Sequence, residues 1–195
     1  HAEAGQTGVV AQLGVAVGHQ HQRHAQWLGN LFQMGEVLDT DNTDGVGPGG
    51  LMPERFADKS RSEKAAHFDA AQQRIRFSNN APEAPLQAGA QDRLSLFMQL
   101  AGLLQARPHA AGEVIDFQVA GTGDAEPWRF EVGELQNLEL PAGTVSARWV
   151  RRLPRKPHDS TVEMWLAPSL NHLPVRLRIS QANGDVADQR LARLP

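Results

Sequence analysis

The residue types that could do chemistry in this chain gather in a few short stretches. "QDRLS" at 91–95 sets Gln91, Asp92, Arg93 and Ser95 side by side, just ahead of an apolar run. An aspartate beside an arginine could serve as an acid or base with an ionic partner. The same aspartate could instead cap a helix, accepting from the backbone N–H near Ser95 and complementing the positive end of the helix dipole. The apolar run behind it favours the cap, and Gln91, Asp92, Arg93 and Ser95 are read as a structural motif. "DTDNTDG" at 39–45 suggests calcium. With Gly45 as the central glycine of an EF-hand loop, the first and last ligands fall on Thr40 and Leu51, and neither supplies the required carboxylate. A plain turn is the better reading.

"HQHQRH" places His19, His21 and His24 close together, but nothing in the sequence supplies the further ligands a zinc or copper site needs. "HDS" at 158–160 has the residue types of a hydrolase triad. Consecutive residues cannot converge as a triad must, and no G-x-S-x-G elbow is present, so a hairpin turn is expected. "RWVRRLPRK" gathers Arg148, Arg151, Arg152, Arg155 and Lys156. It could touch anionic headgroups or an acidic surface, or form a solvated strand end closed by Pro154 and Pro157. No phosphate loop, paired-carboxylate motif or cofactor fingerprint occurs, so no catalytic residue, metal or cofactor is assigned.

Composition narrows the classes. The chain has 195 residues, 41% hydrophobic and 21% charged, which suits one globular domain with a sizeable core. Its formal net charge is -3, so a dedicated nucleic-acid binder is disfavoured. With no cysteine, disulfides, zinc-thiolate sites and thiol nucleophiles are excluded. No apolar run reaches the roughly 18 residues of a membrane span. The sequence starts at His1, which reads as a fragment or processed product, and an upstream anchor is compatible with it.

Several elements must position these residues. Residues 1–45 form a poorly patterned N-terminal segment, and 46–195 read as a β-rich domain. "LDTDNTDGVGPGG" reads as loop. Ile75 and Phe77 alternate with Arg74, Arg76 and Ser78, as in a half-buried strand. The same alternation marks Ile115–Val119, Trp128–Val132, Val145–Trp149 and Val175–Ile179. "TVEMWLAP" is apolar on both faces and should be more central, and Asn183-Gly184 suits a type I′ hairpin. One helix, at about 91–106, is apolar around most of its circumference and should lie buried inside the curve of a sheet. The fold class is mainly β: a curved antiparallel sheet with one buried helix.

"GLMPERFADKSRSEKAAHFD" at 50–69, "APLQAGAQDRLSLFMQL" at 84–100 and "VEMWLAPSLNHLPVRLRISQANGDVADQRL" at 162–191 together resemble DUF3108, a family of bacterial exported proteins, especially its betaproteobacterial members. The resemblance implies an antiparallel β fold similar to the open half-barrels of lipoprotein carriers, and a place in the periplasm or cell envelope. It carries over no catalytic residue. Before Gly50 the strand pattern fades, which implies either divergence or an upstream reading-frame error.

Three functions follow as expectations. A non-enzymatic envelope domain could hold an apolar or lipid-like ligand between sheet and helix, lined by Leu96, Phe97, Leu100, Trp149 and Trp165. An interaction module with a filled core could dock an envelope protein by a strand edge or the arginine cluster. A hydrolase would need Asp92 to converge with His67 or His172.

Overall fold

The computed structural model describes residues 39–59 and 62–193. His19, His21 and His24, and the stretch where a frame error would lie up to residue 38, fall outside the described residues. Among the described residues the order is β1 (Asp39–Gly47), β2 (Gly50–Lys59), β3 (Glu63–Asp69), β4 (Arg74–Phe77), β5 (Ala84–Pro85), β6 (Gln91–Asp92), α1 (Ser95–Ala106), β7 (Val114–Ala120), β8 (Ala125–Leu140), β9 (Gly143–Arg152), β10 (Thr161–Ala167), β11 (Leu173–Ser180) and β12 (Val186–Arg190). A 3-10 turn occupies Pro168–Leu170. The fold is mainly β, as its alternating patterns predict. No described helix is long and apolar enough to cross a membrane.

The strands form two sheets. One runs β1-β2-β3-β4-β5; the other runs β12-β11-β10-β9-β8-β7-β6 and curls into an open half-barrel. Pairing is antiparallel except between β6 and β7. β10 lies inside its sheet because it is apolar on both faces. Val162, Met164 and Leu166 enter the core beneath α1, while Trp165 and Ala167 enter a second cluster on the opposite face.

The stretch read as loop at 39–47 is a strand, and it runs across position 45. It pairs with β2 from Asp39↔Lys59 to Gly47↔Gly50. Its aspartates and asparagine hid it, because an edge strand can carry polar side chains on both faces without losing its ladder. The β11–β12 turn also differs from expectation. Gly184 has positive φ but Asn183 does not, so the type I′ geometry is absent. Instead, residues 181–185 close through Gln181 N–H to Asp185 O (2.8 Å), with Asn183 Oδ1 accepting from the Asp185 N–H (3.0 Å).

Helix α1 starts at Ser95, later than its apolar pattern suggests, because Gln91 and Asp92 are drawn into the sheet beside β7. It stops at Arg107, whose extended backbone (φ -154°) suits the residue before Pro108. Leu96, Phe97, Leu100 and Leu104 pack against Phe130, Val132, Met164, Leu166 and Leu177 of the half-barrel. Leu94 instead joins Phe56, Phe68, Ile75 and Phe77 under the five-stranded sheet. The entry to α1 therefore stands where the two cores meet.

Candidate functional site

The four polar residues at this junction are each tied to a different element. Gln91 Nε2 donates to Leu51 O of β2 (3.0 Å) and to Gly89 O (3.4 Å). The N-cap is Leu94, which has no capping side chain, and Asp92 serves the helix start from two residues ahead of it: its Oδ1 accepts the N–H groups of Leu94 (2.6 Å) and Ser95 (2.9 Å), donors that a helix start leaves unpaired. Ser95 reciprocates, its Oγ accepting from the Asp92 N–H (3.0 Å) and donating to Asp92 O (3.4 Å). Arg93 lies flat on Gly121, where an added Cβ would come within 2.6 Å of Nη2, and its Nη2 stands 3.9 Å from Asp124. One turn into the helix, Gln99 clasps the β1–β2 hairpin. Its Oε1 accepts from Leu51 N–H (2.9 Å) and its Nε2 donates to Gly49 O (2.9 Å).

A second carboxyl reaches Asp92 from β1. Asn42 and Asp44 sit two apart on that strand, so both side chains turn to the same face. Asn42 Nδ2 donates to Asp44 Oδ2 (2.8 Å) and to Asp92 Oδ2 (3.4 Å), and the two carboxyls hydrogen-bond to each other. Burial pushes the Asp92 carboxyl up, against the pull of the Ser95 and Leu94 amides, the Ser95 hydroxyl and Asn42. Asp44 is pushed up to about 7, first by withdrawal of its carboxyl from water, then by the Asp92 charge and hydrogen bond. Asp44 stands at the open rim and water still touches the residue, which tempers the effect. Asp92 is 0% exposed, so its carboxyl is closed off from solvent.

Asn42, Asp44 and Gln99 were not singled out from the sequence. The first two lie roughly fifty residues from their partner, and no periodicity announces a contact of that range. The histidines of the hydrolase reading do not join Asp92. His172 Nδ1 meets Gln105 Oε1 (2.9 Å) at the far end of α1. His67 is exposed opposite Arg55, while its neighbours Ala66 and Phe68 face the core. His158 and Ser160 sit in the β9–β10 connection, where Asp159 accepts from the Arg155 N–H (2.9 Å). Among the described residues no group of His, Asp or Glu is arranged to hold a metal ion.

The residues proposed to line a ligand cleft divide between the two faces of the half-barrel. Leu96, Phe97 and Leu100 are buried beneath α1. Trp149 and Trp165 lie on the other face, because they alternate with Val150, Met164 and Leu166, which point to the helix. There Trp165 Nε1 donates to Gln136 (2.8 Å) under the Arg176 guanidinium, and Trp149 Nε1 donates to Glu163 (3.2 Å). The four arginines of the cluster are engaged within the fold, two of them by carboxylates. Arg151 pairs with Glu131 (2.7 Å), Arg155 with Glu126, and Arg152 stacks 4.5 Å from the centroid of Trp128. Arg148 donates to Gly133 O (3.1 Å).

The comparison with protein families bears on the whole of this arrangement. The model of DUF3108, described as a protein of unknown function, matches residues 20–190. The chain belongs to DUF3108. That match takes in both sheets, α1 and the polar junction between them. Comparison of this DUF3108 chain with curated proteins found no match, and comparison with solved structures found none.

Proposed function

We propose that this DUF3108 chain is a non-enzymatic domain of the cell envelope that presents surfaces to a protein partner, rather than enclosing a ligand. The observation that carries this reading is the packing beneath α1. Leu96 and Leu100 are 0% exposed and Phe97 2%, set against the equally buried Val132, Met164 and Leu166. Side chains so placed occupy the space that an acyl chain would need. The groups that resemble chemistry are also engaged as structure: Asp92 serves the start of α1, Arg152 stacks on Trp128 and Asp159 closes a turn. The envelope location rests on the family resemblance.

What is left for recognition is the outside. Val46 and Met52 are 65% and 49% exposed near the tip of the β1–β2 hairpin, and Val186 is 51% exposed on the edge strand β12. Apolar side chains on a rim and an edge suit docking to a partner. The test is solvent extraction of purified protein with mass spectrometry, beside crosslinking in envelope fractions with V46S/M52S and V186S variants. The expected result is no retained lipid, and a crosslinked partner lost in at least one variant. Lipid retained at one molecule per chain overturns the proposal, as does crosslinking that neither variant alters.

A further inference from the structure

We propose that Asp44 and Asp92 hold one proton between them, and that this shared proton latches the edge strand β1 to the start of α1, so that β1 loosens when the proton leaves. The two carboxyls meet at one amide: Asn42 Nδ2 reaches an oxygen of each, and Asp92 is 0% exposed. Two carboxyls in hydrogen-bond contact need one as donor, since two carboxylates at that range repel. Asn42 bridges the pair from one side, one amide N–H to Asp44 Oδ2 (2.8 Å) and one to Asp92 Oδ2 (3.4 Å), but it brings no positive charge to set against two carboxylates.

Among the described residues no counter-charge relieves the pair. On β1, Asp41 turns away to Arg55. On β2, Glu54 adds a further negative charge on the Asp44 side. The first turn of α1 contributes the Ser95 hydroxyl and backbone amides, with no charged side chain. On β7 the residue opposite Asp92 is Ala120, and Arg93 is turned onto Gly121. Among the described residues no lysine or arginine pairs with either carboxyl. Asp44 is the member that gives up the proton to water, being at the rim and pushed up to about 7.

The latch acts on one strand only, because the rest of the junction does not titrate. Gln91 and Gln99 hold the hairpin at Leu51 and Gly49 through amide groups. Loss of the proton therefore leaves the hairpin tip and β2 attached, while Asn42–Asp44 of β1 lose their grip on the helix start. Among the described strands β1 ends the order of its sheet, so its freedom disturbs no described inner strand.

The sign follows from linkage. Asp44 binds its proton more tightly folded than unfolded, so its contribution to stability is full at acid pH. That contribution is lost as pH rises from the ordinary carboxylate range through about 7. Native-state hydrogen exchange, corrected for the intrinsic pH dependence, tests the proposal. Amide protection of β1 is expected to fall by about tenfold between about pH 5 and about pH 8 while that of β10 stays constant. Asp44→Asn, which replaces the protonated acid by an uncharged donor, is expected to keep β1 protected across the range. Carbon-13 titration of the wild-type carboxyls should show one of the pair releasing its proton well above the ordinary range. Protection of β1 that does not change with pH, equal pH dependence in Asp44→Asn, or both carboxyls titrating at their ordinary values overturns the latch.

Discussion

Leu100→Ala separates a filled core from a ligand space. Leu100 is 0% exposed at the middle of α1, within the cluster that includes Val132, Val150, Met164 and Leu177 from four different strands. The substitution removes roughly three carbon groups, worth about 2.4 kcal/mol at about 0.8 kcal/mol per buried methylene. Strands paired on both sides cannot move in to fill the gap, so a cavity cost adds to this, for a total of about 3–4 kcal/mol. Urea unfolding followed by tryptophan emission measures the change, with an unaltered slope showing that the denatured state is the same. Leu135→Ala, at a residue 49% exposed, is the control and should cost under about 0.5 kcal/mol. Had Leu100 lined an open space, its truncation would only enlarge that space. A loss below about 1 kcal/mol for Leu100→Ala, with a folded control, refutes the reasoning.

Three further outcomes are expected. Gly50→Ala should cost about 2–4 kcal/mol, because φ is +107° and the new Cβ would meet Gln99 Oε1 at 2.2 Å. Thermal unfolding of Gly50→Ala, Gln99→Ala and the double variant should show non-additivity, and strictly additive costs would deny the clasp. Gly133→Ala should displace the Trp149 ring, 2.3 Å from the built Cβ, break its bond to Glu163 and lower stability by about 1–3 kcal/mol. Unchanged tryptophan emission together with unchanged stability would contradict this. Asp188 is held well below the usual carboxylate range by hydrogen bonds from Arg176, then Arg190. Its stabilisation is therefore present above that range and lost as pH falls through it, and water at this edge keeps it below about 1 kcal/mol. Asp188→Asn should flatten the acid limb of the stability curve, and an unchanged limb would refute the pairing.

What could be read from the sequence follows physical reach. Strands whose burial alternates announce themselves: Ile75 and Phe77 are buried between exposed Arg74 and Arg76, and Trp128, Phe130 and Val132 share the inner face of β8. Such a pattern is local and needs no knowledge of partners. Face is a different matter. The stretch Met164-Trp165-Leu166 shows that Trp165 opposes its neighbours, but only the position of α1 decides which side is which. The alternation at 145–149 groups Trp149 with Val145 and Ala147, and that face, like Trp165, is turned away from Leu96, Phe97 and Leu100. β1 was illegible for another reason, since Asn42 and Asp44 turn polar groups toward the joint where the pattern expects apolar ones. Their place there is intelligible only once Asp92 stands opposite them.

The junction at Gln91–Ser95 explains why a stretch that resembles an active site need not be one. Two sheets with separate cores must be joined by backbone that leaves regular pairing, and such backbone has unpaired amides and carbonyls. Apolar side chains cannot satisfy those groups, so polar residues gather there. Gln91 and Gln99 satisfy the hairpin, while Asp92 and Ser95 satisfy the start of α1. Asp44 alone is not needed to satisfy any of that backbone among the described residues, and its carboxyl adds a like charge beside a buried one. A group that costs stability when ionised, at the rim of an otherwise satisfied joint, is where a response to pH can sit without harm to the fold. This is why Asp44→Asn should strengthen the joint at neutral pH, whereas Asp92→Ala should weaken it at every pH by removing the Oδ1 that accepts the Leu94 and Ser95 amides.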